Sequence, residues 1–339
     1  MRKKKTIKYL KAFLKIAIAI LAIWILFKTE KISRESFIKL FQAKNIPFLF
    51  LSGLAFVSSQ LLATLRLVLL LRAIGFRIRY SFGFRLTMIG NFFSMVIPGT
   101  VGGDIVKGYY LMNKEGNNKG RSSGIIIMDR VLGFFAIVFF AIVAIIYLFQ
   151  KDIVKLDSYH RELDFIIITI SSLFGLFVAF LVFGRNQLFR RKLKTIFLAI
   201  FRNNILYYIA EGFGLILKKP RTAIFSFIIS LLVQLISFAG LLILVNISSV
   251  NMLGIIPLFA VISVVKIFGA IPVTPGNIGW IELIAAFGFS VVGSNTGAEI
   301  FLYWRLVAVV CSLSGLYLFM AQRREQAPKN RNYTTLEPG

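Results

Sequence analysis

Apolar residues run through this chain in blocks, and the lengths of the blocks sort them into two kinds. Six blocks read as membrane-crossing helices, at 12–27, 47–71, 123–149, 165–183, 222–245 and 300–320. Others stop short. The block 86–97 is twelve residues, about 18 Å of helix. The block 105–111 is shorter still, 255–271 runs into a break, and 283–292 is too short to cross alone. The short blocks flank two interruptions of one form, Pro98-Gly-Thr-Val-Gly102 and Pro275-Gly-Asn-Ile-Gly279. In hydrocarbon each unpaired backbone N–H or C=O costs several kcal/mol, so such breaks survive only where protein buries them or where they line a wet cavity. Pro98, Gly99, Pro272 and Pro275 are therefore expected to break helices at the tips of two re-entrant hairpins, and the recurrence of P-G-x-x-G predicts an internal repeat.

Charge orients the layout. The segments assigned to the cytoplasm (1–11, 71–86, 107–121, 185–221 and 322–339) hold 27 Lys/Arg, and the external ones (28–46, 150–163 and 246–254) hold 8. The positive-inside rule then places both termini in the cytoplasm of a multi-pass protein of the inner membrane. The first hairpin enters from inside and the second from outside, the relation of an inverted repeat. The expected fold is an all-α integral membrane protein with about six full transmembrane helices and two opposed hairpins. Residues 1–321 form the membrane domain and 322–339 a short disordered cytoplasmic tail. The first block is followed by Lys28-Thr-Glu-Lys31 without a small-residue cleavage site, so it reads as an uncleaved helix. Within 185–221, Phe189, Leu193, Ile196, Phe197 and Ile200 recur opposite Arg190, Arg191 and Lys194, the pattern of a basic amphipathic helix on the inner leaflet.

Composition confirms the class. At 58% apolar and 16% charged residues, with a mean hydropathy of +0.80, this is no ordinary soluble domain. The net charge of +26 sits in short segments between apolar blocks, as it does in loops facing anionic lipid, and nucleic-acid binding is not expected. One cysteine, Cys311, and one histidine, His160, assemble no metal site and no Cys or His nucleophile. No cofactor is expected.

The chemistry lies in charges inside apolar sequence. Each P-G-x-x-G is followed by a carboxylate, Asp104 or Glu282, and then by a helix bearing arginine. Arg130 comes 32 residues after Pro98, and Arg305 comes 30 after Pro275. A half-helix starting near Gly102 and Gly103 points free N–H groups at a cavity and makes a site for a lipid phosphate, as does the turn from Gly276 to Gly279. Arg130 and Arg305 add paired hydrogen bonds to that phosphate. Asp104, Asp129 and Glu282 receive a cationic headgroup or carry a coupling proton. The structural alternative is that Asp104 caps a half-helix, Glu282 sits in a first turn and Asp129 neutralises an arginine. Arg66 is expected to reach the headgroups, and Lys15 and Lys266 to serve structure.

Asn91-Phe-Phe, Pro98-Gly-x-x-Gly-Gly-Asp104, Asp129-Arg130-Val-Leu-Gly133 and Pro275-Gly-x-x-Gly-x-x-Glu282 together resemble the membrane region of the lysylphosphatidylglycerol synthase/flippase family, from about residue 10 to 321. The resemblance implies movement of lipids between leaflets. A separate soluble domain of that family transfers lysine from aminoacyl-tRNA to phosphatidylglycerol, and this sequence stops after a short tail. It departs from the family pattern at Asp129, where Glu is usual, and at Asn277, where Gly is usual, which bears on the geometry of that turn. The expected activity is binding and flipping of an anionic or aminoacylated phospholipid, or of a polyprenyl-phosphate-linked lipid. The alternatives are a membrane-embedded lipid-modifying transferase and its non-catalytic subunit. Partners are membrane lipids, with a homo-oligomer or a separate lipid-modifying enzyme as further candidates.

Overall fold

The structure, a computed structural model, describes residues 34–96, 102–115, 119–150, 218–248, 254–271 and 273–326, with isolated positions at 168, 171, 172, 174, 175, 179 and 216. Among the described residues the ordered elements are all helical. They are α1 (Arg34–Leu40), a 3-10 turn (Ala43–Asn45), α2 (Ile46–Ala73), α3 (Tyr80–Val96), α4 (Gly102–Glu115), α5 (Lys119–Gln150), α6 (Pro220–Val245), α7 (Ile255–Gly269), a second 3-10 turn (Pro275–Asn277), α8 (Trp280–Val291) and α9 (Gly297–Gln326). The stretches Ala43–Ala73, Ser122–Tyr147, Pro220–Val245 and Gly297–Ala321 are long and apolar enough to cross a membrane. They coincide with four of the six expected spans. The other two, the amphipathic stretch within 185–221, Lys15, His160, Pro98, Gly99, Pro272 and residues from 327 on lie outside the described residues. Residues 322–326, expected in the tail, instead extend α9.

The two short-block regions each fold into a pair of packed helices. In the first, α3 begins six residues before the apolar block does, within sequence expected as a basic loop. Gly83 lets its first turns lie directly on Val68 and Thr64 of α2, and the Tyr80 hydroxyl donates to the Leu61 carbonyl at 2.8 Å. The arms then cross backbone to backbone. A Cβ on Gly103 would overlap the Gly90 carbonyl oxygen and the Ser94 hydroxyl, and the Lys107 side chain lies across Gly90. Gly103 is thus fixed by close approach rather than by a turn. In the second pair Gly269 meets Ile281 while Gly288 meets Val261 and Val265, so α7 and α8 run antiparallel.

Around the pairs the long helices supply two cores. One gathers Leu67, Leu70, Leu86, Leu111, Ile125 and Met128 from α2 to α5. The other gathers Phe238, Leu241, Ile262, Ala285, Phe289 and Tyr303 from α6 to α9. Between them α2 and α6 run antiparallel, with Ser52 Oγ donating to the Gly240 carbonyl at 3.1 Å near one end and Arg66 Nη1 donating to Ser230 Oγ at 2.8 Å near the other. Each hairpin also rests on the last described helix of the other half. The Met88 backbone of α3 abuts Gly315 of α9, with the Phe93 and Phe319 rings 5.1 Å apart. Phe259 of α7 packs on Phe140 of α5 at 5.3 Å. Large apolar side chains such as Phe50, Phe225, Phe287 and Val310 remain exposed on the outside, as suits a lipid solvent.

Gly103→Ala and Gly315→Ala are each expected to lower the unfolding temperature of the detergent-purified protein, at a cost of about 1–3 kcal/mol, because the added methyl meets backbone that cannot step aside. Gly53→Ala, where the methyl finds only ordinary contacts to Cys311 and Val307, is expected to be neutral or slightly stabilising. Equal melting curves for Gly103→Ala and Gly53→Ala would mean that the tight crossing is not a constraint on the hairpin.

Candidate functional site

The two interruptions converge. The Met95 carbonyl at the end of α3 lies 3.6 Å from where a Cβ on Gly276 would stand, so the tip of the second hairpin touches the last described turn of the first hairpin's leading arm.

The second tip is built from left-handed backbone, with φ of +60° at Gly276, +56° at Asn277 and +78° at Gly279. Asn tolerates this region better than any other residue with a side chain except Asp and His, so the departure from the family's usual glycine leaves the turn intact. Its buried amide also donates to the Gly269 carbonyl, and Thr274 Oγ1 donates to the Ile278 carbonyl at 2.8 Å. Arg305 of α9 completes the knot. Its Nη1 donates to the Gly276 carbonyl at 2.7 Å, its Nη2 to the Asn277 carbonyl at 2.8 Å and its Nε to Glu282. The other oxygen of Glu282 accepts the Gly279 N–H at 2.9 Å. The spacing P-G-x-x-G-x-x-E therefore places a carboxylate on the third residue of α8, where it satisfies a free donor of the helix start and the positive end of its dipole. In this arrangement the Gly279 N–H, expected to face a phosphate, is bonded to the chain's own carboxylate.

The first hairpin repeats the chemistry with a more open geometry. Asp104, in the first turn of α4, accepts from Arg130 Nε at 2.9 Å and Nη2 at 3.1 Å, with Lys107 Nζ 3.8 Å away. The Arg130 side chain is 52% exposed, against 20% for Arg305, and its Nη1 has no partner among the described residues. Acid and arginine are 26 residues apart in the first pair and 23 in the second.

Asp129 points elsewhere. Neighbours on a helix diverge by about 100°, and its carboxylate takes Arg66 Nε at 2.7 Å in a buried ion pair. Arg66 does not reach the headgroups as expected. It is buried between α2, α5 and α6, because Asp129 and Ser230 offer it charge and hydrogen bonding inside the protein. Gly133, one turn beyond, leaves the space: a Cβ there would lie 3.1 Å from Arg66 Nη1. In Asp129-Arg130-Val-Leu-Gly133, then, Asp129 and Gly133 serve Arg66, and Arg130 serves Asp104.

A second matched pair was missed in the sequence. Asn91 Nδ2 of α3 donates to Gln60 Oε1 of α2 at 2.8 Å, and Lys266 Nζ of α7 donates to Gln234 Oε1 of α6 at 3.3 Å. The partners are 31 residues apart in one half and 32 in the other, but aligning the halves on their P-G-x-x-G motifs sets Asn91 opposite Phe268 and Gln60 opposite Ser237, so the sequence alone does not bring the two pairs into register. Among the described residues no group of three or more His, Cys, Asp or Glu is placed to hold a metal ion. Of the remaining expected site residues, Gly102 and Gly103 are buried at the start of α4, and Pro275 opens the second 3-10 turn.

Comparison with known sequences agrees with this reading of the motifs. The family model described as the lysylphosphatidylglycerol synthase TM region matches residues 12–315. A search of curated proteins gives no match.

Removing Arg66 strands a buried carboxylate. Arg66→Ala is expected to lose about 3–5 kcal/mol of stability, and adding Asp129→Ala to restore part of it. Thermal unfolding followed by intrinsic fluorescence checks this, and an Arg66→Ala protein as stable as its parent would show that the pair is not closed in the membrane-embedded protein.

Proposed function

This chain belongs to the family of the lysylphosphatidylglycerol synthase TM region, and we propose that it binds a phosphate-bearing lipid and flips it between leaflets. The cargo is an anionic or aminoacylated phospholipid, or a polyprenyl-phosphate-linked lipid. The observation that carries this reading is the meeting of two interrupted helices, each with a carboxylate in the first turn of its second arm and an arginine on the next helix. A phosphate leaving the headgroup layer must replace its hydrogen bonds to water, and guanidinium groups at helix breaks are what a membrane interior can offer. Arg130 is the entry point, since among the described residues its Nη1 has no partner and its side chain is half exposed. As Arg130 turns to the phosphate, Asp104 is freed for a cationic headgroup. Arg305 and Glu282 do the same at the second tip, where exchange must first open the bonds to Gly276, Asn277 and Gly279. The half-helix starts at Gly102 and Gly103 and at Gly276 to Gly279 add their dipoles to the anion's path. Asp129 takes part indirectly, by holding Arg66.

The two hairpins enter from opposite faces as an inverted repeat. Support comes from the antiparallel pairing of α2 with α6, from each hairpin resting on the last described helix of the other half, and from the Gln60–Asn91 and Gln234–Lys266 bonds. Two such halves present one site to either leaflet in turn. The charge split of the loops supports an orientation with both termini in the cytoplasm, in the inner membrane. The transferase alternative needs a carboxylate free to act as base. Asp104, Asp129 and Glu282 each have an arginine against them, so none of them stands free in this arrangement.

In vesicles carrying the purified protein and a fluorescent phosphatidylglycerol, with dithionite bleaching to report the outer leaflet, Arg130→Ala and Arg305→Ala are each expected to slow lipid movement about a hundredfold. That corresponds to losing roughly 3 kcal/mol at 1.36 kcal/mol per factor of ten. Asp104→Asn, which keeps capping ability, is expected to be slow as well. Parental rates in folded Arg130→Ala protein would rule out the phosphate role. Normal movement in Asp104→Asn with loss in Asp104→Ala would reduce Asp104 to a cap.

A further inference from the structure

Five of the chain's 40 lysines and arginines lie outside the loop segments, at Lys15, Arg66, Arg130, Lys266 and Arg305. Three of them, Arg66, Arg130 and Arg305, have a carboxylate against them, and Lys15 is outside the described residues. Lys266 differs. It is the only charged residue of α7, and among the described residues no carboxylate lies within 4 Å of its Nζ. Its three N–H positions meet neutral groups instead: Ser237 Oγ at 2.8 Å, Gln234 Oε1 at 3.3 Å and the face of the Phe238 ring, 4.4 Å from its centroid. The charged groups on the elements around it are engaged elsewhere. On α5, Asp129 holds Arg66 and Arg130 holds Asp104. On α8, Glu282 holds Arg305. Beyond Arg221 in its first turn, α6 carries no charge.

The other half shows that this charge is not needed to fasten the helices. In the first hairpin Asn91, a neutral amide two residues out of register with Lys266 when the halves are aligned on P-G-x-x-G, bonds the leading arm to a glutamine of the neighbouring span, and does so at 2.8 Å. A half-buried cation with no carboxylate beside it among the described residues is costly to hold, so its presence where an amide can fasten two helices calls for a role in which the charge itself changes. Loss of a proton from any of the three arginine-held carboxylates' partners is closed off, since arginine does not deprotonate in proteins, and protonating one of those carboxylates would leave its arginine unpaired. Lys266 has neither restriction. When the ammonium gives its proton to water, the amine lone pair can accept from the Ser237 hydroxyl, and no opposite charge is left behind.

We propose that Lys266, set between Gln234, Ser237 and Phe238, is the exchangeable-proton site through which movement of the second hairpin is coupled to a proton gradient. In the charged state the cation–π contact and the bond to Gln234 clamp α7 onto α6. In the neutral state the cation–π contact is gone and the arm is held less tightly, by hydrogen bonds alone. A step that requires the arm to leave α6 thus proceeds after the proton has left, and the arm returns with a proton taken up from the side it then faces. The experiment's lipid arm rests on the reading that the chain moves lipid; its proton arm does not.

The test uses the full chain in vesicles of phosphatidylethanolamine and phosphatidylglycerol, comparing the parent with Lys266→Asn, Lys266→Gln and Lys266→Arg. Fluorescent phosphatidylglycerol reports lipid movement, with and without an imposed pH gradient, and trapped pyranine reports proton entry driven by a potassium–valinomycin potential. For the parent, the ratio of rates with and without the gradient is expected to be several-fold, and proton entry faster than in empty vesicles. In the amide variants, of which at least one should fold as Asn91 does in its own half, and in Lys266→Arg, both effects are expected to vanish. A gradient response in the amide variants equal to the parent's, or none in the parent, overturns the proposal and leaves the lipid reading standing. A parental response in Lys266→Arg also overturns it, because a permanent cation then suffices, as it would for a bound anion. If the parent moves no lipid, the lipid reading fails, and the pyranine signal alone decides: proton entry dependent on Lys266 upholds the site, and its absence overturns it.

Discussion

Hydrocarbon gives an interrupted helix nothing to bond to, and most of this structure answers that constraint. At the second tip the answer is built mostly from side chains, with the buried Asn277 Oδ1 left without a partner among the described residues. Arg305 takes two carbonyls of the turn, Glu282 takes one N–H, and the Asn277 amide takes the last carbonyl of the preceding helix. Arg305 and Glu282 carry full charges that neutralise one another, so one pair serves the turn in hydrogen bonds and in charge at once. The groups that make the break tolerable are also the groups best suited to a phosphate. If these groups take a lipid phosphate as we propose, stability and ligand exchange draw on one set of bonds, and the two cannot be tuned independently.

The two halves differ in how tightly they hold their arginines. Arg305 is locked by backbone carbonyls as well as by its carboxylate, whereas among the described residues Arg130 is held by Asp104 alone and its side chain is half exposed. Lys107 adds a second positive charge beside Asp104, and the second hairpin has no such residue at the equivalent distance from Glu282. If the halves are related as we propose, the asymmetry falls where a carrier needs it, with one tip easy to open and the other hard.

Much of this was legible in the sequence. Block lengths located the four described spans to within a few residues, and the paired P-G-x-x-G motifs located both hairpins with the carboxylates and arginines that belong to them. Element ends were less legible. Gly83, read as loop, is helical because α2 lies against it, and Arg323 and Arg324 extend α9 although they read as tail. The site's largest miss was Arg66. Hydropathy places it near the end of its block and so at the interface, yet its partner Asp129 is 63 residues away, and no local pattern reports a contact at that separation. The sequence also set Asp129 beside Arg130 without showing that the helix turns them to different neighbours. Lys266 was visible as a charge in an apolar block, but that its surroundings are neutral is a tertiary fact.

The contact between α3 and α9 has a consequence for how the protein is made. The Met88 backbone on the first hairpin is covered by Gly315, more than two hundred residues later in the chain. During synthesis the first hairpin is therefore in the membrane, or waiting beside it, long before the surface that seals its back has left the ribosome. Its arms, at 17 and 14 residues, are shorter than the four long apolar helices. A truncation before α9 would leave the back of the first hairpin uncovered.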